Sequence, residues 1–435
     1  MQFQLFFDYQ NIVNSCSFTQ KYDALFRAFD TVYHGPDHPL FGRKGYPKSA
    51  YLKALIYKQC EQIKYVTDLI RDLESRPAIC MLIGFEPGKL PSPSQFSRFL
   101  SSMNNSEVEE LIHSSAKLMI EEGHVSTDVL IGDSKPIRAN TVENNPKNPN
   151  RCLNKERKIK RNPAATFSYY SYIKQSSEGK KRQFAFFWGY RTHVLVSREG
   201  VVLVEITKPN DVADKDVVKS LMRKLKRIYG QKKGRKIVLD AAYDSNDVYN
   251  FILKEMKSEP FIAENPRYKK PVTNFDEQGR PICEAGLSMK YCGSANDENR
   301  SRIKYRCPIK GGNKKELPKL PAECPVDHPR FTEGNCYGCT AYIDLAGDAR
   351  TQARMRRQSQ EFKKTYNLRM EVERYFSRLG PREVEDTTLY NYSSIKNQMS
   401  IAHLSLNLIA VAATIILRQP EKIRCYKTLT VPLAS

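Results

Sequence analysis

Two short, β-rich runs in the middle of the chain each lead into an aspartate. Val125–Ile131 is followed by Gly132 and Asp133, and Lys236–Leu239 runs directly into Asp240. Runs of this kind read as buried strands, which places both carboxylates at strand ends. A single strand-end aspartate is most simply a turn former. Two of them in one strongly basic chain point toward a shared chemical task.

The flanking segments fix the expected architecture. Phe184–Val196 and Val201–Ile206 are further β-rich runs, joined by the turn Ser197–Gly200 as a hairpin. Asp211 is expected to open a helix whose buried face carries Val218, Leu221, Leu225 and Ile228. Asn246–Met256 reads as a helix and Phe261–Ala263 as a short strand. Three strands, helix, strand, helix, strand predicts an α/β fold, a mixed sheet flanked by helices as in the ribonuclease-H-like architecture.

Residues 1–110 are expected to be a helical N-terminal DNA-binding domain. Tyr51–Leu73 carries Leu52, Leu55, Ile56, Ile63, Val66 and Leu69 near helical spacing, and Ser92–Ser102 is a shorter helix after a Pro- and Gly-rich turn. Helix, turn, short helix suits a DNA reader and equally suits an ordinary packing unit. Residues 265–345 are rich in Pro, Gly, Lys and Cys and read as an insertion subdomain. It divides the catalytic domain into 120–264 and 346–420, the second part containing two long helical stretches, Arg350–Leu379 and Ile395–Leu417.

The chain has 70 Lys and Arg against 48 Asp and Glu, a formal charge of +22. An excess of this size favours a polyanionic partner, nucleic acid before an anionic membrane. Met1–Phe7 is too short for a secretory signal, and Ile401–Leu417 contains His403, Ser405 and Asn407, so a buried helix is expected there and no membrane span. The 11 cysteines, without a secretory signal, suit reduced thiols in the cytoplasm.

Cutting a phosphodiester requires an activated attacking oxygen and neutralisation of charge building at phosphorus. Two Mg²⁺ ions accomplish both, and Mg²⁺ prefers carboxylate oxygens. A third candidate carboxylate lies in Tyr366-Asn-Leu-Arg369-Met-Glu-Val-Glu373, where the i, i+3, i+7 spacing places Tyr366, Arg369 and Glu373 on one face of a long helix. Alone, the Arg369–Glu373 spacing would be an ordinary surface pair.

The Tyr-x2-Arg-x3-Glu spacing resembles the carboxylate signature of the DDE transposases of bacterial insertion sequences, in the broad IS4 and IS5 group. Leu239-Asp-Ala-Ala-Tyr-Asp-Ser245 resembles that group's second-aspartate motif, and Gly132-Asp-Ser-Lys-Pro-Ile-Arg-Ala139 its first. Trp188-Gly-Tyr-Arg-Thr-His193 is similar to the strand that follows the first aspartate, and residues 40–105 resemble the N-terminal domain of IS1182-type members. The resemblance covers most of the chain. It implies a ribonuclease-H-like core in which Asp133, Asp240 and Glu373 are catalytic and hold Mg²⁺ or Mn²⁺, with Tyr366 and Arg369 orienting DNA or the glutamate. It further implies double-stranded DNA partners, the element's inverted repeats and a target, bound by a homodimer or larger assembly. The pattern often continues to a lysine seven residues past the glutamate; here that position is Gly380, and Arg378 or Arg382 is the substitute. A non-catalytic DNA-binding descendant and a ribonuclease-H-like nuclease are the competing readings.

Two further signals stand apart. Arg151–Arg182 holds ten Lys or Arg, among them Lys158, Arg161, Lys181 and Arg182, interleaved with Phe167, Tyr169, Tyr170 and Tyr172. Cations contact phosphates and aromatic rings stack on exposed bases, whereas the simpler reading is a basic loop. In the insertion, Cys307, Cys324, Cys336 and Cys339 form a candidate structural Zn²⁺ set, with Cys283, Cys292 and His328 as further candidates and buried free thiols as the alternative.

Overall fold

The computed structural model describes residue 11 and residues 16–425, apart from 39–43, 146, 148–158, 177–178, 266–274, 298–299, 312–319, 327–337, 345–349, 351–356, 358 and 381–384. The chain divides into two compact units, Met1–Gly230 with Glu371–Ser435, and Gln231–Met370.

The first unit begins with helices α1 (Ser17–Asp30), α2 (Lys48–Cys60), α3 (Val66–Ser75), α4 (Pro77–Ile83), α5 (Pro93–Ser102) and α6 (Asn105–Glu121). The expected single helix over Tyr51–Leu73 is two. Gln62 takes the left-handed conformation (φ 55°) and turns the chain between α2 and α3. Helix α5 starts where Ser92 and Gln95 close a reciprocal capping box.

Strands β1 (Val129–Arg138), β2 (Thr166–Ser176), β3 (Gly179–Ser197) and β4 (Val202–Pro209) follow, then helix α7 (Asp214–Tyr229). Strand β3 pairs antiparallel with β1, β2 and β4. The β3–β4 hairpin stands as expected. The basic, aromatic segment, for which a loop was the simpler reading, supplies β2 and the start of β3, and α7 starts at Asp214 rather than Asp211, after Ala213. Strands β1 and β3 approach so closely that a Cβ on Gly189 would lie 1.9 Å from the Ile137 carbonyl oxygen. The glycine in the Trp-Gly-Tyr motif is therefore required by packing.

The second unit contains β5 (Lys236–Leu239), helix α8 (Asn246–Asn250), which continues as a π-turn to Glu255, and β6 (Glu259–Ile262), parallel to β5. The segment expected as an insertion subdomain, residues 265–345, carries strands of its own. Strands β7 (Lys290–Asp297), β8 (Arg300–Arg306) and β9 (Thr340–Asp344) form a separate antiparallel sheet over Met289, Tyr305 and Ile343. Helix α9 (Gln360–Tyr366) comes next. The long helix expected over Arg350–Leu379 is interrupted by a 3-10 turn at Asn367–Arg369 before α10 (Met370–Arg378).

Helix α11 (Tyr392–Val411), extended by a π-turn to Ile416, is the one described helix long and apolar enough to cross a membrane, yet it is mostly buried within the protein. It packs on α1, α2, α5, α6 and β4. Its polar residues are matched to partners. Asn407 exchanges hydrogen bonds with the Val202 backbone (3.0 and 2.9 Å), and Asn397 Nδ2 donates to the carbonyls of Leu100 and Met103 (both 2.8 Å). Buried amides satisfied this way favour one seating of the helix over others.

Gly189→Ala is expected to destabilise the protein by about 1–3 kcal/mol through overpacking against Ile137. Urea unfolding measures it, and a loss below about 0.5 kcal/mol, the range of an ordinary surface substitution, would show that the approach relaxes freely.

Candidate active site

In the first unit, Asp133 lies on β1 opposite Val194, half-buried, with Oδ1 accepting from the Ser134 N–H (2.8 Å). Lys135, two residues on, shares its strand face. Its Nζ lies 3.0 Å from Glu385 Oε1 and 3.5 Å from the Phe376 carbonyl. Lys135, Arg138 and Glu373 line one open cleft of about 470 Å³. Glu373 projects from the exposed side of α10, while Val372, Tyr375 and Phe376 bury the other side.

A buried chain of hydrogen bonds fixes that helix. Tyr375 Oη lies 2.6 Å from His403 Nδ1, and His403 Nε2 lies 3.0 Å from Thr192 Oγ1. Thr192 is on β3 and pairs with Lys135 in the β1 register. Complete burial pushes the His403 imidazole down to about 3, so it stays neutral and uses one nitrogen as donor and one as acceptor.

Arg378, expected at DNA, donates to the Gly200 carbonyl (2.9 Å) and lies over the Tyr375 ring. Burial lowers its pKa. Gly380, at the position of the often-present lysine, has φ 95° two residues past Arg378, the last residue of α10. A left-handed glycine ends a helix readily, and a lysine there would be strained.

In the second unit, Asp240 follows β5 and caps a 3-10 turn, its Oδ1 accepting from the Ala241 N–H (2.7 Å). Arg369 Nη2 approaches Asp240 Oδ2 to 3.6 Å. Tyr366 stacks on Phe362, which stacks on Phe261 of β6, with ring centroids 5.6 Å apart in both pairs.

The sequence reading missed Asp244. Its side chain is fully buried and clamped by Arg350 Nη2 (2.7 Å) and Arg357 Nη2 (2.8 Å), while Oδ2 accepts from the Asn265 N–H (2.8 Å). Arg357 also donates to the Ile262 carbonyl and Tyr249 Oη. This network ties the loop after Asp240 to the end of β6. Burial alone would raise the Asp244 carboxyl, but the Arg350 and Asn265 hydrogen bonds and the Arg357 charge hold it below the usual carboxylate range. The acidic residue within Tyr243-Asp-Ser was the available signal; its arginine partners lie over 100 positions away.

The remaining expected DNA contacts are spread out. Arg161 lies over the Tyr390 ring (4.9 Å), Lys181 and Arg182 occupy β3 positions paired with Lys174 and Ile173, and Lys158 lies outside the described residues. Among the cysteines expected to bind zinc, the Cys339 thiol meets those of Cys307 and Cys283; burial and these neighbours push it up to about 12. Cys283 was only a secondary zinc candidate, and Cys336 lies outside the described residues. Among the described residues, no group of three His, Cys, Asp or Glu side chains is arranged as a metal site. The expected zinc set thus has no structural support.

Comparison with known proteins decides the family. Residues 126–408 match the model of the transposase DDE domain, and residues 9–102 match a second transposase domain, DUF772. The chain belongs to the DDE transposase family. No curated protein sequence matches this transposase. Among solved structures it is similar to a piggyBac transposase synaptic complex with hairpin DNA, at 11% identity and a TM-score of 0.35, over 95% of this chain and 80% of that one. It is also similar to a Mos1 transposase paired-end complex, at 14% identity and a TM-score of 0.17, over 54% and 64%.

Asp244→Asn is expected to cost this transposase about 3–5 kcal/mol, because two buried arginines lose their counter-charge. The native carboxyl's depressed pKa contributes stability that is complete above the unfolded value near about 4 and is lost as pH falls through the folded value. Acid titration of the urea midpoint should therefore show a weaker slope below about pH 4 in Asp244→Asn. Equal slopes would exclude the clamp as a source of acid sensitivity.

Proposed function

We propose that this transposase binds the inverted repeats of its own element and carries out metal-dependent DNA cleavage and strand transfer, with Asp133, Asp240 and Glu373 as the metal-holding carboxylates. The observation that carries the reading is the ion pair between Arg369 and Asp240. Each was singled out from a separate motif, and they meet within one unit. A cationic guanidinium beside this carboxylate marks a place where positive charge is favourable. All three candidates offer the hard oxygen donors that Mg²⁺ or Mn²⁺ prefers.

When bound, two such ions would activate the attacking oxygen and neutralise charge at phosphorus. The chain's own residues supply the rest. Asp240 is pre-aimed by its cap on the Ala241 N–H, with Asp244 anchoring the following loop. Arg369 balances Asp240 and is positioned to take a phosphate oxygen instead. Lys135, in the cleft with Glu373, offers a second phosphate contact. Water attacks the phosphodiester at the element end and displaces the 3′-oxygen, leaving a 3′-hydroxyl and a 5′-phosphate; that hydroxyl then attacks a target phosphodiester and displaces the target strand's own 3′-oxygen.

The same reading assigns the ribonuclease-H-like core to 120–264 and 346–420, DNA recognition to the helical 1–110, and 265–345 to an insertion. It places the protein in the cytoplasm, acting as a homodimer or larger assembly on DNA.

Purified protein with Mg²⁺ or Mn²⁺ and DNA carrying the element's ends tests the reading. Wild type should nick at the ends and join them to target. Asp240→Ala should lower the rate by about 10²–10³-fold, the scale for losing a principal electrostatic group. Nicking that persists in Asp240→Ala would sink the assignment. Tight binding without cutting would favour a DNA-binding descendant, and cutting without end preference or joining a nuclease.

A further inference from the structure

The β2–β3 arm is left over from the proposed chemistry. In its register Phe167 faces Trp188, Tyr169 faces Phe186 and Ser171 faces Phe184. Residues directly opposite, and those two apart, share one face of a hairpin. Five of these six positions are therefore aromatic on a single face.

The rings form a graded series. Trp188 is buried and Phe167 half-buried, whereas Tyr169, Phe186 and Phe184 are 46%, 44% and 49% exposed. Phe167 and Phe186 lie parallel with centroids 5.8 Å apart, and Tyr169 touches both Phe184 and Phe186 at 5.7 and 5.8 Å. Cross-strand aromatic pairs stabilise hairpins, but that stabilisation does not require three adjacent rings to stand in water. A contiguous exposed apolar patch with a polar rim marks a contact surface.

The sequence beyond the rings indicates the occupant. Beyond the rings the same face of the arm continues through the positions of Arg182 and Lys180, which the register sets opposite Ile173 and Gln175, with Lys174 and Lys181 paired on the other face. A second copy docking face to face would bring like charges together. Nucleic acid supplies phosphates for the basic outer part and flat base faces for the rings.

We propose that the β2–β3 arm is a base-stacking platform that holds unpaired nucleotides beside a DNA end. This rests on the transposase reading above. Stacking tolerates any base, since every base has a π-face, so the arm would grip a frayed or cleaved flank without reading its sequence.

The test uses full-length protein and two probes of the same duplex, one blunt and one with a single-stranded adenine extension carrying 2-aminopurine. Wild type should prefer the extended probe and quench its fluorescence. The double variant Phe184→Ala, Phe186→Ala should lose about 10-fold or more for the extended probe, within the range for removing one stacked base, and lose the quench. Its affinity for the blunt duplex should stay within about twofold, because phosphate contacts dominate there. Phe184→Tyr with Phe186→Tyr should retain both signals, which guards against simple misfolding. Equal losses on both probes, no loss on either, or a change confined to self-association would overturn the platform. With probes that carry the element's end, wild-type protein that binds neither would overturn the end-binding function proposed above and the platform with it, whereas binding without preference for the extension overturns the platform alone.

Discussion

The buried hydrogen-bond chain Thr192–His403–Tyr375 is the constraint on which the first unit depends. It joins the central strand β3, the long helix α11 and the helix that carries Glu373. Because β3 also sets the β1 register, the same chain links the placement of Glu373 to that of Asp133. A neutral imidazole in a dry core holds this geometry only while both its nitrogens are partnered. An unpaired one would cost about 1–3 kcal/mol. The polar residues of α11 thus convert an apolar helix, which could otherwise slide or rotate in its groove, into a keyed element.

The second unit solves a similar problem with charge. Asp240 sits in a loop, where precise placement is hard to maintain. Two arginines converge on Asp244, four residues on, and attach the loop to β6 and its neighbours. Breaking a buried pair of this kind is costly even where forming it yields little net stability, so its value lies in specifying a single loop conformation. Asp240 is left half-exposed, capped by its own turn and faced by Arg369, an arrangement suited to exchanging one cation for another.

Local signals in the sequence were informative where neighbours in the chain are neighbours in space. The β3–β4 hairpin, β5 and the start of α5 at Ser92 are of this kind. Strand β2 was masked by the basic residues on either side of it, although Phe167, Tyr169 and Ile173 alternate as a strand should. The break between α2 and α3 was hidden because Ile63 and Val66 keep helical spacing across it, and a left-handed glutamine leaves no compositional mark. The 3-10 turn at Asn367–Arg369 was invisible for the same reason, and it alters the one-face geometry assumed for Tyr366, Arg369 and Glu373. Partners far apart in sequence were not legible. His403 and Asn407 read only as polar interruptions, and Asp244 gave no hint of Arg350 or Arg357. The carboxylate motifs were recognisable because their order and spacing resemble those of the DDE transposases, the family that the two domain matches establish.

The central proposal is that Asp133, Asp240 and Glu373 hold the same metal ions. Iron(II) loaded in place of magnesium, then treated with ascorbate and peroxide, cuts the polypeptide wherever the metal sits. The account predicts backbone scission clustered at residues 133, 240 and 373 and suppressed by excess Mg²⁺. Scission that spares these three positions, or that Mg²⁺ leaves unchanged, would contradict it.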